Sequence, residues 1–482
     1  MTTTTQVEPA TSSAPSQLKE VFAEQRRAYQ AEGAPSAQQR KAALDSLVKL
    51  LMGNRKPIAA ALKKDFGSRS SHETEIAEIV GSANALRYAK RHLGKWMKPR
   101  RRSTGIWFVP AANRLVPQPK GVVGIISPWN YPVNLTLGPL AAAVAAGNRV
   151  MAKTSEFTPA TGELLARLVA SGFPRDQLHV LGGGVEVAQE FSSLPWDHLL
   201  FTGSTAVGRH VMRAAAENLT PVTLELGGKS PAIIGDDYPL ERAVERIVWG
   251  KLINAGQTCI APDYVLVPEG REKDFAELAQ ATARRFYPKL AGNDDYTSVI
   301  NDSHYERLSS LVDEARNKGA AVEPAADPIE AGRERKLPLT IVLGANDDMR
   351  VLQDEIFGPV LPVLGYTSLD EAIDYVNARP RPLALYLFSD RSDSQEAVLD
   401  KTTSGGVAIN DVLLHYLQDD LPFGGIGASG MGAYHGQEGF DTFSHLKPVF
   451  VQRGLGGRTG AQLLYPPYNP VTRTLLRMMR KI

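Results

Sequence analysis

The chain has 482 residues, of which 43% are hydrophobic and 22% charged, with a formal net charge of +2. This is the composition of a folded globular protein with roughly three domains' worth of chain, and its near-balanced charge gives no general pull toward nucleic acid, which is not expected as a partner. A single cysteine, Cys259, excludes an intramolecular disulfide and a thiolate zinc site, so no metal is expected and any thiol chemistry falls on that one residue.

Residues 1–17 are polar and read as a disordered tail. They lack a basic start followed by an apolar core, and no later stretch approaches the ~20 apolar residues that cross a bilayer, so a cytoplasmic protein is expected. From about Ser16 to Leu93 the spacing is helical, with Val48, Leu50, Leu51, Ile58 and Leu62 recurring at three and four residues. Lys98 to Arg102 breaks the pattern and reads as a solvated basic loop, and Ile106-Trp107-Phe108-Val109 suits a strand. After Gly121 the character changes. Val122–Ile126 is a β-branched run of the kind buried on both faces, followed by a helix around Leu135 to Ala146 and further strands at Arg149–Lys153, Leu178–Leu181, His198–Phe201 and Val222–Leu226. Strands alternating with helices predict right-handed crossovers and a parallel sheet, hence a Rossmann-type α/β fold. A second α/β region starts near Lys229, with helices from Leu240 and Glu272 and strands at Tyr264–Val267, Pro359–Val363 and Ala384–Phe388.

Three residues carry possible chemistry. Cys259 lies in the small, turn-prone run Gly256-Gln257-Thr258-Cys259; alone it reads as a buried small hydrophobe. Glu225 ends an apolar strand just before Gly227-Gly228, which permits close backbone approach; its plainer reading is a salt-bridged core carboxylate. Asn130 follows Val122–Ile126, and ligands bind at the C-terminal ends of such strands. A carboxamide there can donate to an oxyanion, or it is simply a turn residue.

Pro128-Trp129-Asn130-Tyr131-Pro132, Phe201-Thr202-Gly203-Ser204, Leu224 to Ser230, Gly256 to Cys259 and Glu355-Ile356-Phe357-Gly358-Pro359 occur together and in order. In this the chain resembles the aldehyde dehydrogenase superfamily from about residue 18 to 465. The C-terminal runs Leu421 to Gly425, Gly430 to Gly436, Phe440 to His445 and Tyr465 to Tyr468 resemble its class-3-type branch, within which the sequence is most like bacterial coniferyl aldehyde dehydrogenases. The resemblance implies a Rossmann-type cofactor domain over 18–101 and 120–227, an α/β catalytic domain over 228–445, and a small bridging sheet from 102–119 and 446–460 that makes a homodimer contact. It implies that Cys259 attacks the aldehyde carbon, that Asn130 holds the oxyanion, and that Glu225 activates the water that hydrolyses a thioester. It places Lys153 and Glu156 at the adenosine ribose of NAD, Gly203, Ser204 and Trp129 along the pyrophosphate, and Glu355 and Phe357 beside the nicotinamide ribose. Glu156 is chiefly compatible with NAD, although members of this branch also accept NADP. Tyr131 and His435 are candidate walls of the pocket for an aromatic aldehyde such as coniferaldehyde; a packing role for Tyr131 and a hydrogen-bonding structural role for His435 remain open alternatives. Competing readings are an aliphatic-aldehyde dehydrogenase, a coenzyme A-acylating dehydrogenase and a non-enzymatic binding protein.

Gly425-Ile426-Gly427-Ala428-Ser429-Gly430 satisfies G-x-G-x-x-G but follows no strand, so it reads as a turn-rich loop. The tail, 461–482, holds a short amphipathic helix: Val471, Leu475, Met478, Met479 and Ile482 form one stripe, and Arg473, Arg477, Arg480 and Lys481 another. A helix packed on the protein is preferred over one lying on a membrane.

Overall fold

Strands flanked by helices on both faces have no wet side, so their sequences lose the polar alternation of half-exposed strands. Val122–Ile126, Arg149–Lys153 and His198–Thr202 are buried at every position. The computed structural model describes residues 14–454, 462 and 464–480. It joins these strands in a six-stranded sheet that runs, edge to edge, Gly430–Met431, Val222–Glu225, His198–Thr202, Val122–Ile126, Arg149–Lys153 and Leu178–Leu181. All neighbours are parallel except the first pair. From Val122–Ile126 the chain adds strands first on one side and then, beginning with His198–Thr202, on the other. The crossovers diverge between those two strands, which opens a crevice at their C-terminal ends. The charged ends of Arg149–Lys153 are tolerated because Arg149 donates to the Asp176 carbonyl at 2.6 Å and to Glu32 at 2.7 Å, while Lys153 reaches Glu156 at 3.1 Å.

A seven-stranded sheet forms the second layer in the order Ala321–Pro324, Thr340–Leu343, Val360–Tyr366, Tyr264–Pro268, Pro231–Ile234, Ala384–Phe388 and Gly406–Ile409, parallel except at the first pair. Both families of α/β elements thus follow the expectation of parallel sheets with helical crossovers.

The third sheet is antiparallel: Arg100–Arg102, Ala112–Pro119 and Ser444–Val451. Two expectations need correction here. Arg100–Arg102 is an edge strand, not a loop, paired in register with Asn113–Leu115; an exposed edge accommodates arginine side chains, whose charge also discourages further strand addition. Ile106–Phe108 is a single 3-10 turn, not a strand. Gly105 before it and Pro110 after it interrupt extended pairing, and Pro110 has no N–H to give a ladder.

Helix Ala14–Glu32 takes in the last four residues read as tail, and residues 1–13 lie outside those described. The C-terminal helix spans Pro470–Met479, with Asn469 as its N-cap. Val471, Leu476 and Met478 are exposed and Thr472 is buried, while Lys481 and Ile482 of the two stripes lie outside the described residues. Among the described residues no helix is long and apolar enough to cross a membrane.

Candidate active site

The crevice is lined by turns that leave the two switch-point strands. Ser127–Pro132 follows Val122–Ile126, and Gly203-Ser204 follows His198–Thr202. Gly203 N–H donates to the Glu225 carbonyl at 3.0 Å, which fixes this turn to the end of the neighbouring strand. Ser204 caps helix Thr205–Ala216, its hydroxyl accepting from Val207 N–H at 3.3 Å. The free N–H groups of a helix start, with the positive end of its dipole, suit a phosphate. One strand further along, Lys153 is 2% exposed and its ammonium pairs with the more exposed Glu156. These residues fit a dinucleotide: an anion site at a helix N-terminus, with polar groups at the adjacent strand end.

Cys259 sits on the loop that enters strand Tyr264–Pro268. Asn254 and Ala255 both have φ of 52°, and Gly256 has φ of 73°. Three left-handed residues in succession cost backbone energy unless the surroundings hold them. Here they are held from several sides. Asn254 N–H donates to Glu73 at 2.9 Å, the Gln257 amide donates to the carbonyls of Asn254 and Ser298 at 3.0 and 3.1 Å, and Ile300 N–H donates back to Gln257 Oε1 at 2.9 Å. A Cβ on Gly256 would lie 2.5 Å from the Gly358 carbonyl oxygen, so this loop abuts the Glu355–Gly358 turn.

Glu355 reaches the same place from the other side. A Cβ on Gly227 would overlap its carboxylate, and Gly228 donates a backbone hydrogen bond to it. The glycine pair after Glu225 is therefore what lets a second carboxylate close in. Burial raises Glu355 to about 8, and Asp263 nearby adds to the shift. Phe357, at φ 51°, packs edge-on against Trp129 with ring centroids 5.3 Å apart.

Glu225 is 2% exposed, and neither of its carboxylate oxygens has a hydrogen-bond partner among the described residues. Burial alone pushes its pKa well above the ordinary carboxylate value. Cys259 is partly exposed as a residue, but its thiol is closely surrounded. Burial, and then the charges of Glu355 and Glu225, push it up to about 12, so the resting sulfur is a thiol. Both carboxylates thus act electrostatically on the sulfur. Asn130, 3% exposed, turns its carboxamide toward the cysteine loop and donates to the Gln257 carbonyl at 3.1 Å. Tyr131 and Thr258 bring their hydroxyl oxygens within 2.8 Å.

A cluster of rings continues outward from this point. Tyr416 contacts Phe423 at 4.7 Å and His435 at 4.9 Å between centroids, and its hydroxyl is 3.3 Å from that of Tyr434. Burial raises both tyrosine hydroxyls, with Cys259 and Glu225 adding to the shift. Burial also lowers His435 and His415 to about 4, so both imidazoles are neutral; Nδ1 of His435 and both nitrogens of His415 have no partner among the described residues.

All twelve sequence-predicted site residues except Glu156 and Ser204 are at least half-buried around this crevice or its ring cluster. Sequence reading passed over Arg69, Glu73, Glu78 and Asn254, which hold the site from behind, and also Tyr416, Tyr434, Phe423 and His415. The first four are polar residues without a motif. The aromatic ones had a signal, the density of rings in 415–435. The G-x-G-x-x-G run is no nucleotide turn: Gly430–Met431 pairs antiparallel with Leu224-Glu225 as the edge of the first sheet.

The sequence and the fold that carry this site have counterparts among known proteins. The model of the aldehyde dehydrogenase family matches residues 2–449. The chain is 53% identical over 460 residues to "Probable coniferyl aldehyde dehydrogenase" of Pseudomonas aeruginosa, covering 95% of each sequence. It superposes on a substrate-bound Staphylococcus aureus AldH with a TM-score of 0.89 at 37% identity, covering 96% of this chain and 99% of that one. It likewise superposes on the NAD+ complex of an aldehyde dehydrogenase from Bacillus cereus with a TM-score of 0.82 at 26% identity, covering 91% and 89%. Sequence and architecture agree over nearly the whole length, and the chain belongs to the aldehyde dehydrogenase family.

Proposed function

We propose that this protein oxidises an aromatic aldehyde of the coniferaldehyde type to its carboxylic acid, using NAD and a covalent intermediate on Cys259. The observation that carries the reading is the meeting of the chain's sole thiol with the unpartnered Glu225 carboxylate and the Asn130 carboxamide at the switch-point crevice. The name of the Pseudomonas aeruginosa relative and the ring cluster of Tyr416, Tyr434, Phe423 and His435, with Tyr131 nearby, support an aromatic substrate.

Gly203, Ser204 and Trp129 hold the pyrophosphate, Lys153 and Glu156 the adenosine ribose, and Glu355 and Phe357 the nicotinamide end. When bound, NAD supplies the hydride acceptor. Glu225 takes the thiol proton, either directly or through water, because burial raises its proton affinity above that of an ordinary carboxylate. The Cys259 thiolate adds to the aldehyde carbon, and the Asn130 carboxamide and the Cys259 N–H stabilise the oxyanion of the thiohemiacetal; one such donor is typically worth ~3–4 kcal/mol of barrier. Once the adduct has been oxidised to the thioester and the first proton has passed from Glu225 to solvent, the restored carboxylate deprotonates the water that attacks it. The acid leaves, and Cys259 regains its proton. The negative Glu156 side chain disfavours a 2′-phosphate, so NAD is preferred over NADP.

The first sheet with its helices forms the cofactor domain, the second the catalytic domain, and the small antiparallel sheet joins two copies as a homodimer. The lone reduced thiol suits the cytoplasm. Assaying NADH formation from coniferaldehyde, benzaldehyde and a long aliphatic aldehyde, with NAD and NADP in parallel, tests the reading. Coniferaldehyde with NAD should give the highest kcat/KM, and C259A should abolish turnover. Undiminished activity of C259A, or a requirement for coenzyme A, would refute it.

A further inference from the structure

Behind the reacting groups lies a closed hydrogen-bond ring that no motif announces. Arg69 follows helix Arg55–Phe66 in the turn Gly67-Ser68-Arg69, and its side chain has no exposure. Its Nη1 donates to the Asn130 carbonyl and to Asn254 Oδ1, each at 2.8 Å. The Asn254 amide then donates to the same Asn130 carbonyl at 3.0 Å and to the Gln257 carbonyl at 3.1 Å. The Gln257 carbonyl also accepts from the Asn130 carboxamide at 3.1 Å. Four residues from three separate stretches of chain thus share two backbone carbonyls, one on the residue that carries the oxyanion amide and one two residues before Cys259.

A buried guanidinium needs compensation; here both terminal nitrogens have it, while Nε has no hydrogen-bond partner among the described residues. Nη2 pairs with Glu78 Oε1 at 3.3 Å, and the other Glu78 oxygen accepts from Val133 and Asn134 N–H at 3.1 and 2.7 Å, at the start of helix Asn134–Ala146. Its carbon lies 4.4 Å from the Phe66 ring centroid and 5.1 Å from that of Tyr131. The planar fork is pinned in one orientation by an ion pair on one arm and two aromatic rings, leaving the other arm to hold Asn130 and Asn254. An ammonium cannot reproduce that geometry.

We propose that Arg69 is a positioning residue for acyl transfer: it locks the left-handed Asn254 and the Asn130 backbone together, and so holds the Asn130 carboxamide in register with Cys259. The proposal rests on the reading of Cys259 and Asn130 given above. A shift of a fraction of an ångström in such a donor is costly, because its value depends on meeting the charge that develops.

The test compares R69K, N254G and the double variant as intact enzymes, with active sites counted from the pre-steady-state burst of NADH. Glycine is chosen at position 254 because it keeps the left-handed backbone while deleting the amide. The per-site rate of NADH formation from coniferaldehyde should fall roughly 10- to 100-fold in R69K, with KM for NAD within about threefold of the parent. The double variant should be no slower than the slower single one, since both break the same ring. Alkylation of Cys259 by iodoacetamide uses no oxyanion donor and should stay within about threefold. A per-site rate in R69K within twofold of the parent overturns the proposal, as does multiplication of the two single effects. A parallel loss of alkylation would show a merely structural role. If R69K does not accumulate as folded protein, N254G alone decides: an unchanged per-site rate overturns the proposal. Activity surviving in C259A would instead refute the underlying function and leave the ring itself untouched.

Discussion

Cys259 stands in a field that opposes its own ionisation. Burial is the largest cause of the rise to about 12, and Glu355 contributes more to it than Glu225 does. The sign of a substitution follows. Removing the charge at Glu355 removes a term that raises the thiol, so E355Q lowers the thiol pKa and increases the thiolate fraction at a given pH. Because Glu355 itself is held near 8, the effect grows as pH rises through that value and the parent carboxylate becomes charged. The expected result is alkylation by iodoacetamide about two- to tenfold faster in E355Q than in the parent at pH 9, shrinking toward parity at pH 6.5. Equal rates at both pH values would show that the two groups do not share a field. At this scale the sequence was legible where chemistry imposes a motif: a unique cysteine, a carboxylate before a glycine pair, an amide after a strand. It was silent on Arg69 and Glu78. They lie nine residues apart, one in a turn and one in the π-helical segment Thr74–Val80, and nothing in their spacing announces a buried pair. Only the fold brings the Arg69 partners Asn130 and Asn254 from 61 and 185 positions away.

Elements were read best where burial is complete. Ala384–Phe388 and Glu272–Phe286 end where their patterns end, since a uniformly apolar strand and a long amphipathic helix leave little ambiguity of period. The errors lie at the rim. Arg100–Arg102 pairs as an edge strand, which patterning cannot detect because one side faces water, and Ile106–Phe108 is apolar for a reason other than strand formation. One element invites a direct test. Ser204 serves both as the cap of helix Thr205–Ala216 and, in the proposed function, as a contact to the cofactor pyrophosphate. The two roles separate with paired substitutions. S204A loses the cap, costing about 1 kcal/mol, whereas S204G loses only a few tenths, because glycine is tolerated at N-caps. Both lose the hydroxyl. Calorimetric melting should therefore distinguish the variants, with S204A the less stable, while titration with NAD should show both weakened by roughly three- to tenfold. An unchanged NAD affinity in S204G would remove Ser204 from the cofactor site.

The whole molecule depends on how its third sheet is attached. Arg100 clasps Asp441 through both guanidinium nitrogens, one of them at 2.6 Å, so the edge of the small sheet is tied to helix Gly436–Thr442, which packs on helices Gly81–Trp96 and Asn134–Ala146. A bidentate pair of this kind fixes orientation as well as distance. The sheet so fixed carries apolar surface that no described residue covers: Ile106 is 74% exposed, Val109 57% and Phe450 53%, and Phe108 meets Phe450 edge-on at 6.2 Å. Large side chains left open on a rigidly mounted sheet are the pattern of a subunit contact. That explains why Ile106–Phe108 is apolar without being a strand: in the proposed homodimer it would be covered by a second copy. F450D places an unpaired charge in the centre of that contact, where its desolvation cannot be compensated. Sedimentation velocity at micromolar concentration should find the parent as a dimer and F450D predominantly as a monomer. The residues proposed to hold NAD all belong to one chain, so a folded F450D monomer should keep its capacity to bind NAD. A parent that sediments as a monomer at every concentration would remove the homodimer from the account and leave the apolar face of the small sheet to another partner.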